Sequence, residues 1–265
     1  MLHNYTEENI VRSLVFYEWM ANFNITGAQE IFNEISDLIG SIPDIASVAD
    51  RDASKDYLYK NFVSRDVLKK RDWQSLNYLW KRNENTLSDF AIEIGCAIKE
   101  FQRFEVHIDV AAVENIGHTY ESVISILTDR IQPVYGIGYE MPYFWGPRAF
   151  ARGSVSSRYD IPTKSLYGAP TFAREQSLMF GPVLREMPNN RHLDVNIRDV
   201  FEVNFISDRH LDRDVNGISL KEFINKNDFG ELVGLGVGGW IWRVPSKDIH
   251  NARRILIDAG ITIVK

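Results

Sequence analysis

One cysteine, Cys96, stands among 265 residues, so no intrachain disulfide can form and the fold must rest on a packed core in a reducing setting. Long hydrophobic runs are also missing. No stretch of about 18 apolar residues occurs, which gives no candidate for a membrane-spanning helix. The first residues lack a basic segment leading into an apolar one, so the expectation is a soluble cytoplasmic protein. Positive charge is in deficit, with 30 Lys and Arg against 36 Asp and Glu and a net charge of −6. That balance weighs against direct nucleic-acid binding, because a phosphate backbone attracts basic surfaces, and it suits a basic protein partner instead.

What the chain does contain is apolar bulk. Hydrophobic residues make up 45%, including six Trp, eleven Tyr and fifteen Phe, enough for a sizeable core. Their order repeats. A strand pattern, an amphipathic helix, two strand patterns, a second helix and a last strand run through residues 11–140 and again through 197–264. The expected fold class is α+β, two ferredoxin-like (βαββαβ) units with antiparallel sheets and helices packed on them.

In the first unit, residues 1–140, segment 10–20 suits a strand, although Thr6, Glu7 and Glu8 could equally open a helix. Ala28, Ile31, Phe32, Ile35 and Leu38 share a helical face, with a capping box at Thr26 and Gln29 and a stop at Gly40. Residues 41–88 read as a helical insertion in which Trp73, Leu76, Leu79 and Trp80 share a face. Strands over 90–98 and 104–110, a helix over 120–131 and a strand over 132–140 close the unit. Residues 141–196 are a connecting region broken by proline and glycine, with a short helix within 171–180. The second unit, 197–265, has a strand at 200–206 and a helix capped by Ser219 and Glu222. Glycine-broken strands follow at 231–244, then a helix capped by Ser246 and a last strand at 261–264.

No pattern compels catalysis, and no cofactor or metal is assigned. Glu105, His107 and Asp109 alternate on one face of a strand, a spacing that could gather metal ligands, but an exposed sheet face shows the same alternation and is the preferred reading. Gly234, Gly236, Gly238 and Gly239 imitate a dinucleotide loop yet lead into the strand-like 240–244, so a hairpin is favoured. His3, His118, His192, His210 and His250 read as scattered surface groups, and Ser154, Ser156 and Ser157 near Arg152 and Arg158 as an exposed loop. Two segments suit a partner. Tyr139, Glu140, Tyr143, Phe144, Trp145 and Arg148 combine aromatics and charge of the kind that anchors interfaces, and Asp208, Asp212 and Asp214 could meet a basic surface.

The segment 199–211, followed by Gly230-Glu231-Leu232 and residues 240–244, resembles the C-terminal half of bacterial polymorphic-toxin immunity proteins, the immunity protein 52 family in particular. Residues 135–139 and Gly146-Pro147-Arg148 extend the similarity to about 135–264. The resemblance implies a non-catalytic cytoplasmic protein that binds and blocks one cognate toxin, often a nuclease. It transfers no site residues. The alternatives are a metal-dependent hydrolase built on Glu105, His107 and Asp109 with help from the 139–158 loop, or a small-ligand-sensing module. Oligomeric state stays open.

Overall fold

The computed structural model describes residues 9–19, 23–82, 89–99, 102–154, 169–236 and 238–265. The ambiguous first segment is strand β1 (Ile10–Trp19), whose Leu14, Val15, Phe16 and Tyr17 are fully buried. Residues on both faces of one strand are buried together only when both faces of the sheet are covered. Thr6, Glu7, Glu8 and His3 lie outside the described residues. Helix α1 (Ile25–Ile39) buries the expected apolar face and ends at Gly40 in the left-handed conformation, φ +73°. Its cap is Asn24 rather than Thr26: the Asn24 side chain accepts a hydrogen bond from the Gly27 N–H at 2.9 Å.

The segment expected as a helical insertion extends the sheet instead. It forms β2 (Ile45–Ala49), β3 (Ser54–Leu58), a short helix α2 (Tyr59–Ser64), a 3-10 turn (Val67–Lys70) and β4 (Ser75–Lys81). Leu76, Tyr78 and Trp80 alternate toward one core, so period two wins over the helical spacing drawn through Trp73, Leu76, Leu79 and Trp80. Next come β5 (Phe90–Ala97), β6 (Arg103–Asp109), α3 (Ile116–Ile131) and β7 (Pro133–Pro142). Buried Cys96 packs within β5, where burial pushes its thiol pKa upward.

A 3-10 turn (Tyr143–Trp145), α4 (Pro147–Ala151) and α5 (Thr171–Arg185) fill the connecting region. The last third holds β8 (Val203–Ser207), α6 (Asp208–Leu211), a small hairpin of β9 (Asp214–Val215) and β10 (Ile218–Ser219), and α7 (Leu220–Asn227) with the expected Ser219–Glu222 capping box. It ends in β11 (Glu231–Gly236), β12 (Gly239–Arg243) and α8 (Ser246–Asp258). β11 and β12 form the glycine-rich hairpin, while Ser246 sits inside α8 and makes no side-chain cap.

Ten strands make one sheet, ordered β11-β12-β8-β7-β1-β6-β5-β4-β2-β3, with antiparallel pairing throughout. β7 pairs with β8 and joins the two halves, so among the described residues only the β9–β10 hairpin stands outside this sheet. That pairing also corrects the expected last strand. The edge of β8 is already taken by β7, so the final residues make only an isolated parallel bridge, Thr262 to Ile197. One core lies between the sheet and helices α1 and α3, around Leu14, Phe16, Phe32, Phe104 and Leu127. On the other face a second core joins Tyr17, Tyr135 and Tyr139 to Phe150, Phe180, Trp242 and Leu256.

His210, expected at the surface, is fully buried in α6, where its Nδ1 accepts a hydrogen bond from the Ser207 N–H at 3.0 Å. Burial pushes its pKa down to about 4, below the ordinary 6.5. A proton on Nδ1 would also forfeit that acceptor. Between pH 6.5 and 4 the unfolded chain therefore binds the proton that the fold refuses, and stability falls as pH falls. Glu18 and Asp199 act oppositely, since burial raises their pKa values to about 7 and about 6 and each favours the fold toward lower pH. A difference between variants isolates the histidine. Urea denaturation at pH 7 and pH 5 should show a loss about 2 kcal/mol smaller in His210→Asn than in the parent, and equal losses would refute the assignment.

Candidate functional site

The polar face of β6 is covered, not solvated. Glu105, His107 and Asp109 are each almost fully buried, beneath the segment that runs through the Tyr143–Trp145 turn and α4. Glu105 is the hub. Its carboxylate accepts from Arg103 Nε at 2.8 Å, from Arg148 Nε at 3.3 Å and from Arg152. Arg148 reaches on to Glu93 Oε2 and Asn77 Oδ1, both at 2.7 Å. Gly95 makes room for this cluster: a Cβ there would stand 2.7 Å from Asn77 Oδ1 and 2.9 Å from Glu105 Oε1. Burial alone would raise the Glu105 pKa, but the guanidinium groups of Arg103, Arg152 and Arg148 hold it well below the ordinary carboxylate range, with the His107 ring 3.8 Å away.

These contacts divide the three side chains that alternation had grouped. His107 Nδ1 lies 2.9 Å from Ser13 Oγ, and Asp109 pairs with Arg82. Four residues of strand separate Glu105 from Asp109 by about 13 Å, so the two carboxylates do not converge on one ligand. No cluster of three or more metal-competent side chains able to hold an ion occurs among the described residues.

A second arrangement opens at the other end of the connecting region. Glu140 and Trp145 from the segment 139–145 line a recess of about 220 Å³ together with Phe172, Asp199, Glu202 and Arg253. Asp199 is satisfied within the protein: Gln176 donates to it and Arg253 Nε lies 3.0 Å away. Glu140 pairs with Arg12. Glu202 has no ion pair among the described residues, and burial, reinforced by the nearby Glu140 charge, raises its pKa. On α5, Phe172 at the recess is 51% exposed and Met179, two turns on along the same face, is 40% exposed. The recess thus offers a half-buried carboxylate between aromatic walls, a setting that receives an ammonium or guanidinium group.

The residues expected to meet a partner do not form one group. Tyr139 and Tyr143 are buried: Tyr139 donates to the Pro147 carbonyl at 2.7 Å and also lines the recess, and the Arg82 guanidinium lies over the Tyr143 ring. Arg148 belongs to the buried ion network, while Glu140 and Trp145 line the recess and Phe144 is half-buried. Asp208, Asp212 and Asp214 are exposed near α6, where Asp208 accepts from Trp240 Nε1 at 2.7 Å and Asp214 from the Gly217 N–H at 3.2 Å. They do not join the aromatic segment. β7 and β8 run antiparallel with Gly138 opposite Val203, so Asp208 lies on the order of 20 Å along the sheet from Glu140.

Sequence patterning does not mark Glu202, Asp199, Phe172 and Gln176 as members of one site. Glu202 and Asp199 give a faint signal, two carboxylates flanking the apolar pair Val200 and Phe201. Of the remaining candidates, His118, His192 and His250 are exposed and Ser154 donates to the Ala149 carbonyl at 3.3 Å. Ser156, Ser157 and Arg158 lie outside the described residues.

No protein-family model matches the chain, and no curated protein matches it. Among solved structures it is similar to the Pseudomonas aeruginosa T6SS protein PA0821, with a TM-score of 0.57 and 12% sequence identity. The match covers 96% of this chain and 73% of that one. The two share a fold. No helix among the described residues is long and apolar enough to cross a membrane.

Proposed function

We propose that this chain is an immunity-type protein that neutralises a cognate bacterial toxin by stoichiometric binding in the cytoplasm, without catalysis. The observation that carries the reading is Glu202. This half-buried carboxylate has no ion pair among the described residues and sits in a recess lined by Trp145 and Phe172, ready for a cationic side chain from a basic partner such as a nuclease. The overall charge of −6 steers such a partner inward, and the exposed apolar residues of α5 widen the contact. Inhibitor complexes typically bury about 1,600 Å² in total, well beyond the recess itself. The likeness in fold to a T6SS protein is in keeping with a role in competition between bacteria. The strand order β7-β1-β6-β5, with α1 and α3 on one face, supports reading the first half as a ferredoxin-like unit onto which the second half adds its strands.

The test begins with partners recovered from native cells on this chain, each then expressed alone and with it. A toxic partner should be silenced by co-expression at about equimolar level. Glu202→Lys should weaken that complex at least tenfold, since it places like charge in the recess, while Asp214→Lys at the distant hairpin should not. Failure to recover any toxic protein, or full protection by Glu202→Lys, overturns the reading.

A further inference from the structure

We infer a second binding site, for a small multiply charged anion, in a cavity of about 500 Å³ beside α4 and the C-terminal end of α5. It is independent of the recess at Glu202 and shares no lining residue with it. The lining gathers Arg51, Lys99, Arg103, Arg148, Arg152 and Arg185 against a single carboxylate, Asp50. In a chain whose net charge is −6, that concentrates the minority sign in one place.

Arg51 has a partner of its own, and the other cations are only partly neutralised among the described residues. Arg103, Arg148 and Arg152 share two carboxylates, Glu93 and Glu105, which leaves one positive charge in excess at the cavity floor. Asp50 is engaged by Arg71 and by the N–H groups of Asp52 and Ala53, so it offers little compensation. At the rim, among the described residues, Lys99 pairs only with the exposed Asp72 and Arg185 makes no ion pair. A cavity walled by low-dielectric protein focuses such a field and raises the local concentration of anions.

The shape of the lining narrows the ligand class. Guanidinium forks match the planar oxygens of phosphate or carboxylate groups, and Gln74, Ser75 and Asn77 add hydrogen-bonding groups. No aromatic ring lines the cavity among the described residues, so nothing there stacks on a nucleobase. The fitting ligand is therefore a non-aromatic molecule with two or more anionic groups, either a diphosphate or sugar phosphate or a polycarboxylate.

Isothermal titration of the full chain with pyrophosphate and, separately, with citrate tests this at constant ionic strength, so that screening is equal. One site per chain should bind at least one of the two at sub-millimolar concentration, and whichever binds more tightly names the source of the charge. The double variant Lys99→Ser, Arg185→Ser removes two exposed rim cations and should weaken binding about tenfold. The control Arg209→Ser removes a cation from a distant exposed pair and should leave binding unchanged. Thermal melts of all variants should coincide with the parent, which separates lost binding from lost folding. No binding of either anion at millimolar concentration, or equal weakening by the control, overturns the site.

Discussion

Glu105→Ala should lower the unfolding free energy by about 3–5 kcal/mol, the cost of leaving buried charges without their counter-ion. The carboxylate is 2% exposed and is met by Arg103, Arg148 and Arg152, which stay behind in a partly dry environment when it is removed. Glu93 cannot replace it, because it is already bound to Arg148. In a chain of this size the loss corresponds to a fall in Tm on the order of 10 °C. The pH dependence gives an independent sign. The folded pKa of Glu105 is depressed, so its stabilisation is complete above the ordinary carboxylate value and is lost as pH falls below it. The variant should lack that acid-side loss. Urea denaturation at pH 7 and pH 4 measures both effects, and a change under about 1 kcal/mol at pH 7 would show that the arginines do not converge on this residue.

Gly181→Ala should also destabilise, by about 2–3 kcal/mol, although alanine in a helix interior ordinarily gains about 1 kcal/mol over glycine. The reversal comes from a close crossing of α4 and α5. A Cβ on Gly181 would stand 2.1 Å from the Gly153 carbonyl oxygen, and Gly153 itself holds φ at +57° with its own Cβ position 2.6 Å from the Gly181 Cα. Neither backbone can yield cheaply. Tyr17 donates to the Ala151 carbonyl at 2.6 Å and fixes the end of α4, while Leu184 and Arg185 of α5 line the cationic cavity. Separating the helices would therefore weaken anion binding as well as stability. A thermal melt in which Gly181→Ala matches or exceeds the parent would refute the crossing.

The helices are the most legible elements because their signals are local. The stripes of α1 and α3, the stop at Gly40 and the Ser219–Glu222 box each lie within a few residues of the structure they specify. Strand β4 defeats a local reading for a related reason: in residues 75–81 a spacing of three and four and an alternation of two coexist, and only the neighbours β2 and β5 decide between them. Of the candidate site, Glu140 and Trp145 are visible as charge and aromatic bulk, whereas Phe172 and Glu202 reach the same recess from distant segments with no shared pattern.

The amino-acid order alone determined a mixed α and β chain with antiparallel strands, an acidic balance and no cysteine bridge, since composition and short-range periodicity carry that information. Tertiary structure decided what covers each face. Alternating Glu105, His107 and Asp109 looks the same whether water or arginines from α4 lie above it, because alternation records polarity and not exposure. It also decided that β7 takes the edge of β8, which joins the two halves in one sheet, a point the sequence leaves open, and keeps residues 261–264 outside it. Pairing between strands more than sixty residues apart is set by the geometry of the whole sheet, which no local window of sequence contains.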